Sequence, residues 1–311
     1  MRSHILLLGL LSLTAAAQDP PGALVDIGGR RLHIHCTGSG SPAVILEAGA
    51  GAFAIDWNLV QPGIAREARV CSYDRAGLGW SDRSPKSGQA AAIVDDLHSA
   101  LAAAGVKPPY VMVGASMGGI YVRLFDLTYP GEVAGMVLVD PTSEDRLFTM
   151  FEGRGVAIAS LTAEQLRSTI PDTLPPAPPR PPQTGAPFDR LAESDYKTRV
   201  ALESRSIAAV PPVVSLETRV AYAEAERSAL ARLHGSPRAL GDRPLIVLTR
   251  SVDGSQALRD AQAAVARLST NSRQRVVPDS GHEIHLFQPE VVVRAVGDVV
   301  AAVKNHTRLA D

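Results

Sequence analysis

Four apolar runs, at residues 43–46, 69–73, 110–113 and 135–139, constrain this chain more than any other feature. Three of them are rich in Val and Ile and do not alternate with polar residues, as expected of strands covered on both faces. They predict a central parallel sheet with a helix layer on each side. Between them, residues 89–104 place Ile93, Leu97, Ala100 and Leu101 at helical spacing, and Gly105 stops the helix. Ahead of them, Leu24-Val25-Asp26-Ile27 and Leu32-His33-Ile34-His35-Cys36 flank Gly28-Gly29 and predict a hairpin. The pattern resumes after residue 243 with Leu245-Ile246-Val247-Leu248, a helix over 255–268, a last strand at 274–277 and a closing helix over 289–303.

With 311 residues, 45% hydrophobic and 20% charged, the chain has the length and apolar content for one large α/β core carrying an insertion. The core is assigned to residues 18–140 and 244–311. Residues 141–243 are helical, polar and proline-rich without a buried strand, and read as an inserted cap; prolines crowd 171–182, where only extended or polyproline II backbone fits. At the start, a short basic stretch, an apolar run from Ile5 to Leu13 and Ala15-Ala16-Ala17 predict a secretory signal peptide over 1–17, too short to span a bilayer. The expected location is secreted or periplasmic, with no stable membrane insertion after cleavage. A formal charge of −1 gives no field that would draw the protein to nucleic acid. No Cys/His spacing suggests a zinc site and no Gly-rich phosphate loop precedes a Lys-Ser/Thr pair, so neither metal nor organic cofactor is expected.

The chemistry gathers in two places. Gly114-Ala115-Ser116-Met117-Gly118 fits G-x-S-x-G, directly after an apolar strand and before a helix-compatible run at 119–127. Small neighbours are needed where a serine is held in a sharp strand-to-helix bend, and the helix start supplies free N–H groups for a developing oxyanion. Far downstream, Ser280-Gly281-His282-Glu283 puts a histidine on the loop after the last strand, where a general base can approach Ser116. His285, one helical turn on, reads as a packing or loop-tethering residue.

With Asp74-Arg75-Ala76-Gly77-Leu78-Gly79-Trp80-Ser81-Asp82, the Ser116 motif and Ser280-Gly281-His282-Glu283-Ile284-His285, the mature chain resembles the α/β-hydrolase superfamily, as a capped, carboxylesterase-like serine hydrolase. The resemblance implies an eight-stranded, mostly parallel sheet, a helical cap between strands six and seven, and a Ser-Asp-His triad. It places the oxyanion hole at the Met117 N–H and at a second N–H in Glu47-Ala48-Gly49-Ala50-Gly51, assigned to Ala50, with Gly49 or Gly51 as register alternatives. For the acid it offers two seats. Asp253, shortly after strand seven, is placed first and Asp140, at the end of strand six, second; Glu144 or Asp145 is the remaining option. No chemistry is assigned to Asp74 or Arg75. In this fold strands two and four are neighbours, which makes a Cys36–Cys71 disulfide the preferred reading over two buried thiols.

The reading that follows is acyl transfer to water. Ser116 attacks a carbonyl, His282 takes its proton, and water clears the acyl-enzyme. A serine at the bend argues against the haloalkane dehalogenases and epoxide hydrolases of this superfamily, which use Asp there. The expected substrate is a small uncharged ester. The alternatives are proline iminopeptidase-like amide hydrolysis, lactone or C–C cleavage, and a catalytically silent binding protein of the same fold.

Overall fold

The computed structural model describes residues 19–84, 86, 88–173, 181–208, 214–236 and 239–310. The expected signal peptide and most of the proline-dense stretch lie outside the described residues.

Ten strands and nine helices follow in chain order among the described residues. The first half holds β1 (Ala23–Asp26), β2 (Arg31–Thr37), β3 (Ala43–Glu47), α1 (Gln61–Ile64), β4 (Val70–Tyr73), α2 (Ala90–Ala103), β5 (Tyr110–Ala115), α3 (Gly118–Thr128) and β6 (Val133–Val139). The inserted segment adds β7 (Phe148–Phe151), β8 (Arg154–Ala157), α4 (Ala163–Ser168), α5 (Glu193–Ala208) and α6 (Leu216–His234). The chain ends with β9 (Leu245–Arg250), α7 (Gln256–Ala266), β10 (Ser272–Val277), α8 (Ile284–Phe287) and α9 (Pro289–Asn305).

Eight strands form one sheet in the order β1-β2-β4-β3-β5-β6-β9-β10, antiparallel only at the β1–β2 and β2–β4 pairings. The unbroken apolar runs have their cause in two-sided burial. Ile45, Met112, Leu138 and Val247 face a core with Leu97, Leu124, Phe125 and Leu230. Their neighbours Val44, Val113, Val139 and Leu248 face a second core with Ile64, Val292, Val296 and Val299. Alternate residues thus enter opposite cores, and both sets are apolar. Local signals bound the helices: the Ser255 hydroxyl accepts from the Leu258 N–H at 3.1 Å before α7, and Pro289 opens α9.

The inserted segment departs from a purely helical reading in two ways. It opens with the β7–β8 hairpin, whose strands are only partly covered and so leave no buried run in the sequence. Its last helix, α6, lays Ala229, Leu230 and Leu233 into the same core as α2 and α3, so this end of the segment packs as core. Two buried ion pairs tie the segment down. Arg199 of α5, 1% exposed, donates from Nε to Asp56 at 2.7 Å and from Nη1 to Glu203 at 2.9 Å, and its guanidinium lies 3.5 Å from the Phe188 ring centroid. Arg123 of α3 grips Glu144 through two bonds of 2.7 and 3.0 Å. Charges this buried are costly to strand, so each pair holds the segment in one placement.

Cys36 and Cys71 face each other in the β2–β4 register and are joined by a disulfide. His285 of α8 is buried against the Trp57 ring, with centroids 4.6 Å apart and Nδ1 without a partner among the described residues. Burial, then the neighbouring His282 and Arg199, push its pKa down to about 3.

Two stability measurements follow. The Cys36→Ala/Cys71→Ala variant should unfold in urea with a loss of about 3 kcal/mol relative to the oxidised protein, since the bridge closes a long loop of the unfolded chain. Because His285 stays neutral when folded but protonates near 6.5 when unfolded, the unfolded state holds more protons between roughly pH 6.5 and 3, and stability falls as pH is lowered through that window. His285→Phe should therefore lose about 2 kcal/mol less than wild type between pH 7 and 4.5 in paired urea titrations.

Candidate active site

Parallel strands deliver their carboxyl ends to one edge of the sheet, and every candidate group except those in the insertion sits on that edge. Strand order reverses around β3, which lies between β4 and β5, and loops leaving a reversal diverge to open a crevice. Glu47 ends β3, Ser116 follows β5, Asp140 follows β6, Arg250 ends β9 and His282 lies beyond β10.

Ser116 occupies the bend between β5 and α3 with φ of 52°, a left-handed conformation that a side chain rarely adopts. Its backbone is clamped on both sides. Its N–H donates to Val139 O at 3.0 Å, and its carbonyl accepts from Gly119 and Thr142, each at 3.0 Å. The glycines are demanded by close approach. A Cβ on Gly114 would meet Gly118 O at 2.6 Å, and one on Gly118 would strike the backbone of Glu47 and come within 2.8 Å of Ala48 O.

Val139 and Thr142 flank Asp140, so the serine's clamp also places that carboxylate. Asp140 is 2% exposed, with φ of 43° and its own N–H bonded to Leu248 O at 2.7 Å. One oxygen, Oδ2, accepts from His282 Nδ1 at 2.5 Å and lies 3.3 Å from Arg250 Nη1. The other, Oδ1, accepts the Gln262 side-chain amide at 3.0 Å and the Arg250 backbone N–H at 3.2 Å. Burial alone would raise the pKa of this carboxyl, but the bonds from His282, Gln262 and the Arg250 N–H together hold it below the ordinary range. A carboxylate bonded to Nδ1 fixes the imidazole orientation and leaves Nε2 for proton transfer.

Asp253, placed ahead of Asp140 from sequence, does not meet the histidine. It stands exposed in the turn after β9 with φ of 55°. The physical reason lies one turn earlier: Arg250 ends the strand and directs both its N–H and its guanidinium at Asp140, while Val252 N–H bonds Ser280 O at 3.0 Å and carries the loop past the crevice. Glu144 is taken by Arg123 and Asp145 by His234 at the surface, so neither reaches His282.

The loop expected to hold the second oxyanion donor lies against the serine. A Cβ on Gly49 would be 3.4 Å from Ser116 Cβ, and Ala50 is exposed at the loop's apex. Met117 begins α3 as its N-cap.

Sequence reasoning passed over Arg75. Its guanidinium is buried at 6% exposure, donates from Nη1 to Glu47 Oε1 at 2.5 Å and to Ala48 O at 2.7 Å, and donates from Nη2 to Gly49 O. Glu47 also accepts from the Tyr73 hydroxyl. A signal was present: Glu47 and Arg75 are charges at the ends of apolar strands, where a buried charge requires a partner. Asp74, likewise passed over, is fully buried; it accepts from His33 at 2.8 Å and from the Ala54 N–H at 2.8 Å.

Comparisons with known proteins agree with this architecture. A family model described as "alpha/beta hydrolase fold" matches residues 42–289. An uncharacterized Bacillus subtilis protein, YqjL, is 28% identical over 273 residues, covering 86% of this chain and 87% of that protein. Other curated relatives are matched over a smaller part of their length: 18% of a Hormonema carpetanum protein named "Probable transporter efuK", at 33% identity over 39% of this chain. Among solved structures, the epoxide hydrolase CorEH superposes with a TM-score of 0.61 at 20% identity, covering 90% of this chain and 98% of that one. An esterase from Exiguobacterium antarcticum gives 0.57 at 17% identity, with coverage of 90% and 98%. Identities this low speak for the fold alone. The family match spans most of the chain, and the protein belongs to the alpha/beta hydrolase fold family.

Proposed function

We propose that this protein is a serine hydrolase that cleaves small uncharged carboxylic esters through an acyl-enzyme. The observation that carries the reading is the buried Asp140 carboxylate, bonded to His282 Nδ1 at 2.5 Å and lying between Val139 and Thr142, two of the three residues that clamp the Ser116 backbone. In this reading Ser116 Oγ attacks the ester carbonyl as His282 Nε2 accepts its proton, and the oxyanion is held by the N–H groups of Met117 and Ala50. His282 then protonates the leaving alcohol. Water attacks the acyl-enzyme by the same route in reverse and releases the acid.

Asp140 is the acid of the proposed triad. Bonds from His282, Gln262 and the Arg250 N–H outweigh its burial and lower its pKa, so as the triad acid it stabilises the imidazolium without taking the proton itself. Serine at the bend favours ester over epoxide chemistry, although an epoxide hydrolase is among the structural neighbours. We assign residues 141–243 to a cap over the crevice, with the Arg199–Asp56 and Arg123–Glu144 pairs as its anchors. We also propose that the protein works outside the cytoplasm, after loss of residues 1–17. The Cys36–Cys71 bridge supports this, since disulfides persist in oxidising compartments.

Hydrolysis of short p-nitrophenyl esters by the purified mature protein tests the reading. Wild type should turn over and Ser116→Ala should not. Asp140→Asn should lower kcat by about 10³- to 10⁴-fold, while Asp253→Ala should stay within about twofold of wild type. A large loss at Asp253 with a mild one at Asp140 would reverse the acid assignment, and unchanged turnover in Ser116→Ala would remove the nucleophile.

A further inference from the structure

Behind the expected oxyanion loop lies a buried cation that the proposed mechanism does not yet use. Arg75 donates to two successive carbonyls, Ala48 O at 2.7 Å and Gly49 O, and the Gly49 carbonyl also accepts the Ala52 N–H at 3.2 Å. In a trans peptide the C=O and the following N–H point in opposite directions. Drawing the Ala48 and Gly49 carbonyls toward the guanidinium therefore turns the Gly49 and Ala50 N–H groups away from it. Gly49 lies on Ser116, within 3.4 Å of its Cβ for a Cβ built there, and Ala50 is exposed at the loop's apex.

A loop of Ala and Gly has no side chain with which to hold these planes itself. The arginine is in turn immobilised. Glu47, fully buried, accepts from Arg75 at 2.5 Å and from Tyr73, and the Tyr121 ring of α3 lies 5.4 Å from the guanidinium carbon. Burial acts against the charge on Arg75, but Glu47 and the tyrosines more than offset it and raise its pKa, so the cation persists.

We propose that Arg75, fixed by Glu47 and Tyr73, is a positioning residue that presets the Gly49–Ala50 peptide with its N–H toward the ester oxyanion at Ser116. The inference deepens the esterase reading and rests on it. Arg75 touches no substrate atom; it acts through the orientation of a backbone donor and through the positive charge behind it, both of which matter most when the carbonyl oxygen becomes anionic. Lysine is a poor substitute, because one ammonium cannot reproduce the fork that spans two carbonyls and a carboxylate.

The experiment compares wild type with Arg75→Lys and Arg75→Gln in kcat and KM on p-nitrophenyl acetate. The same proteins are assayed for inhibition by an aryl trifluoromethyl ketone, whose serine adduct carries the oxyanion, with folding checked by circular dichroism. The expected result is a folded Arg75→Lys protein with kcat lowered about 100-fold, KM within about threefold, and ketone affinity weakened by the same factor as kcat. A folded variant with kcat and ketone affinity within about threefold of wild type would overturn the proposal, as would a loss confined to KM. Failure of both variants to fold would also overturn it, by showing that Arg75 holds up the core. Failure of the esterase reading is distinguishable, because wild type itself would then neither turn over the ester nor bind the ketone.

Discussion

The arrangement depends on one buried carboxylate. Asp140 follows the sixth strand of the chain at the edge where parallel strands end, and four groups from three other segments converge on it: the His282 ring, the Gln262 amide, and the N–H and guanidinium of Arg250. An ionised carboxylate this far from water is tolerable only with such company. The partners thereby become a device for registration. Helix α7 is held through Gln262, strand β9 through Arg250, and the loop after β10 through His282, all to the residue beside the Ser116 clamp. What holds this corner of the fold together is also what would orient the base.

A second buried charge organises the opposite wall of the crevice. Glu47 and Arg75 neutralise each other beneath the loop that leaves β3, and Arg75 spends its remaining donors on backbone carbonyls of that loop. The next turn of chain carries Asp56, which anchors Arg199 of the inserted segment. Loop, crevice wall and insertion are thus linked by successive ion pairs rather than by apolar packing alone. Such pairs add little net stability over well-packed hydrophobes, but removing either partner leaves a stranded charge, which makes one placement far better than its alternatives.

Much of this was legible in the sequence. Unbroken Val/Ile runs announced strands buried on both faces; helical spacing at Ile93, Leu97 and Leu101 announced a covering helix; glycines around Ser116 announced a bend in which side chains cannot fit. The β7–β8 hairpin escaped because half-covered strands carry no strong period, and the packing of α6 into the core escaped because the helix has no marked apolar stripe and buries only Ala229, Leu230 and Leu233 near its end. The choice between Asp253 and Asp140 was not legible for a different reason. Both follow strands that end at the same edge, and contacts distant in the chain separate them: Asp140 is buried against His282, Gln262 and Arg250, while Asp253 stands exposed in its turn. Contacts between distant residues leave no local trace: His282 and Asp140 are 142 positions apart, and although the charges of Glu47 and Arg75 at strand ends called for partners, nothing local showed that Arg75 grips Ala48 and Gly49, 27 and 26 positions away.

The central claim is that the alcohol at position 116 is a nucleophile activated by the histidine paired with Asp140. The most direct measurement is covalent labelling of the native protein by a fluorophosphonate, with the modified residue located by peptide mass spectrometry. The account predicts stoichiometric modification at Ser116 that is lost on unfolding and slowed by orders of magnitude in His282→Ala. Labelling at another residue, or undiminished labelling of Ser116 without His282, would contradict it.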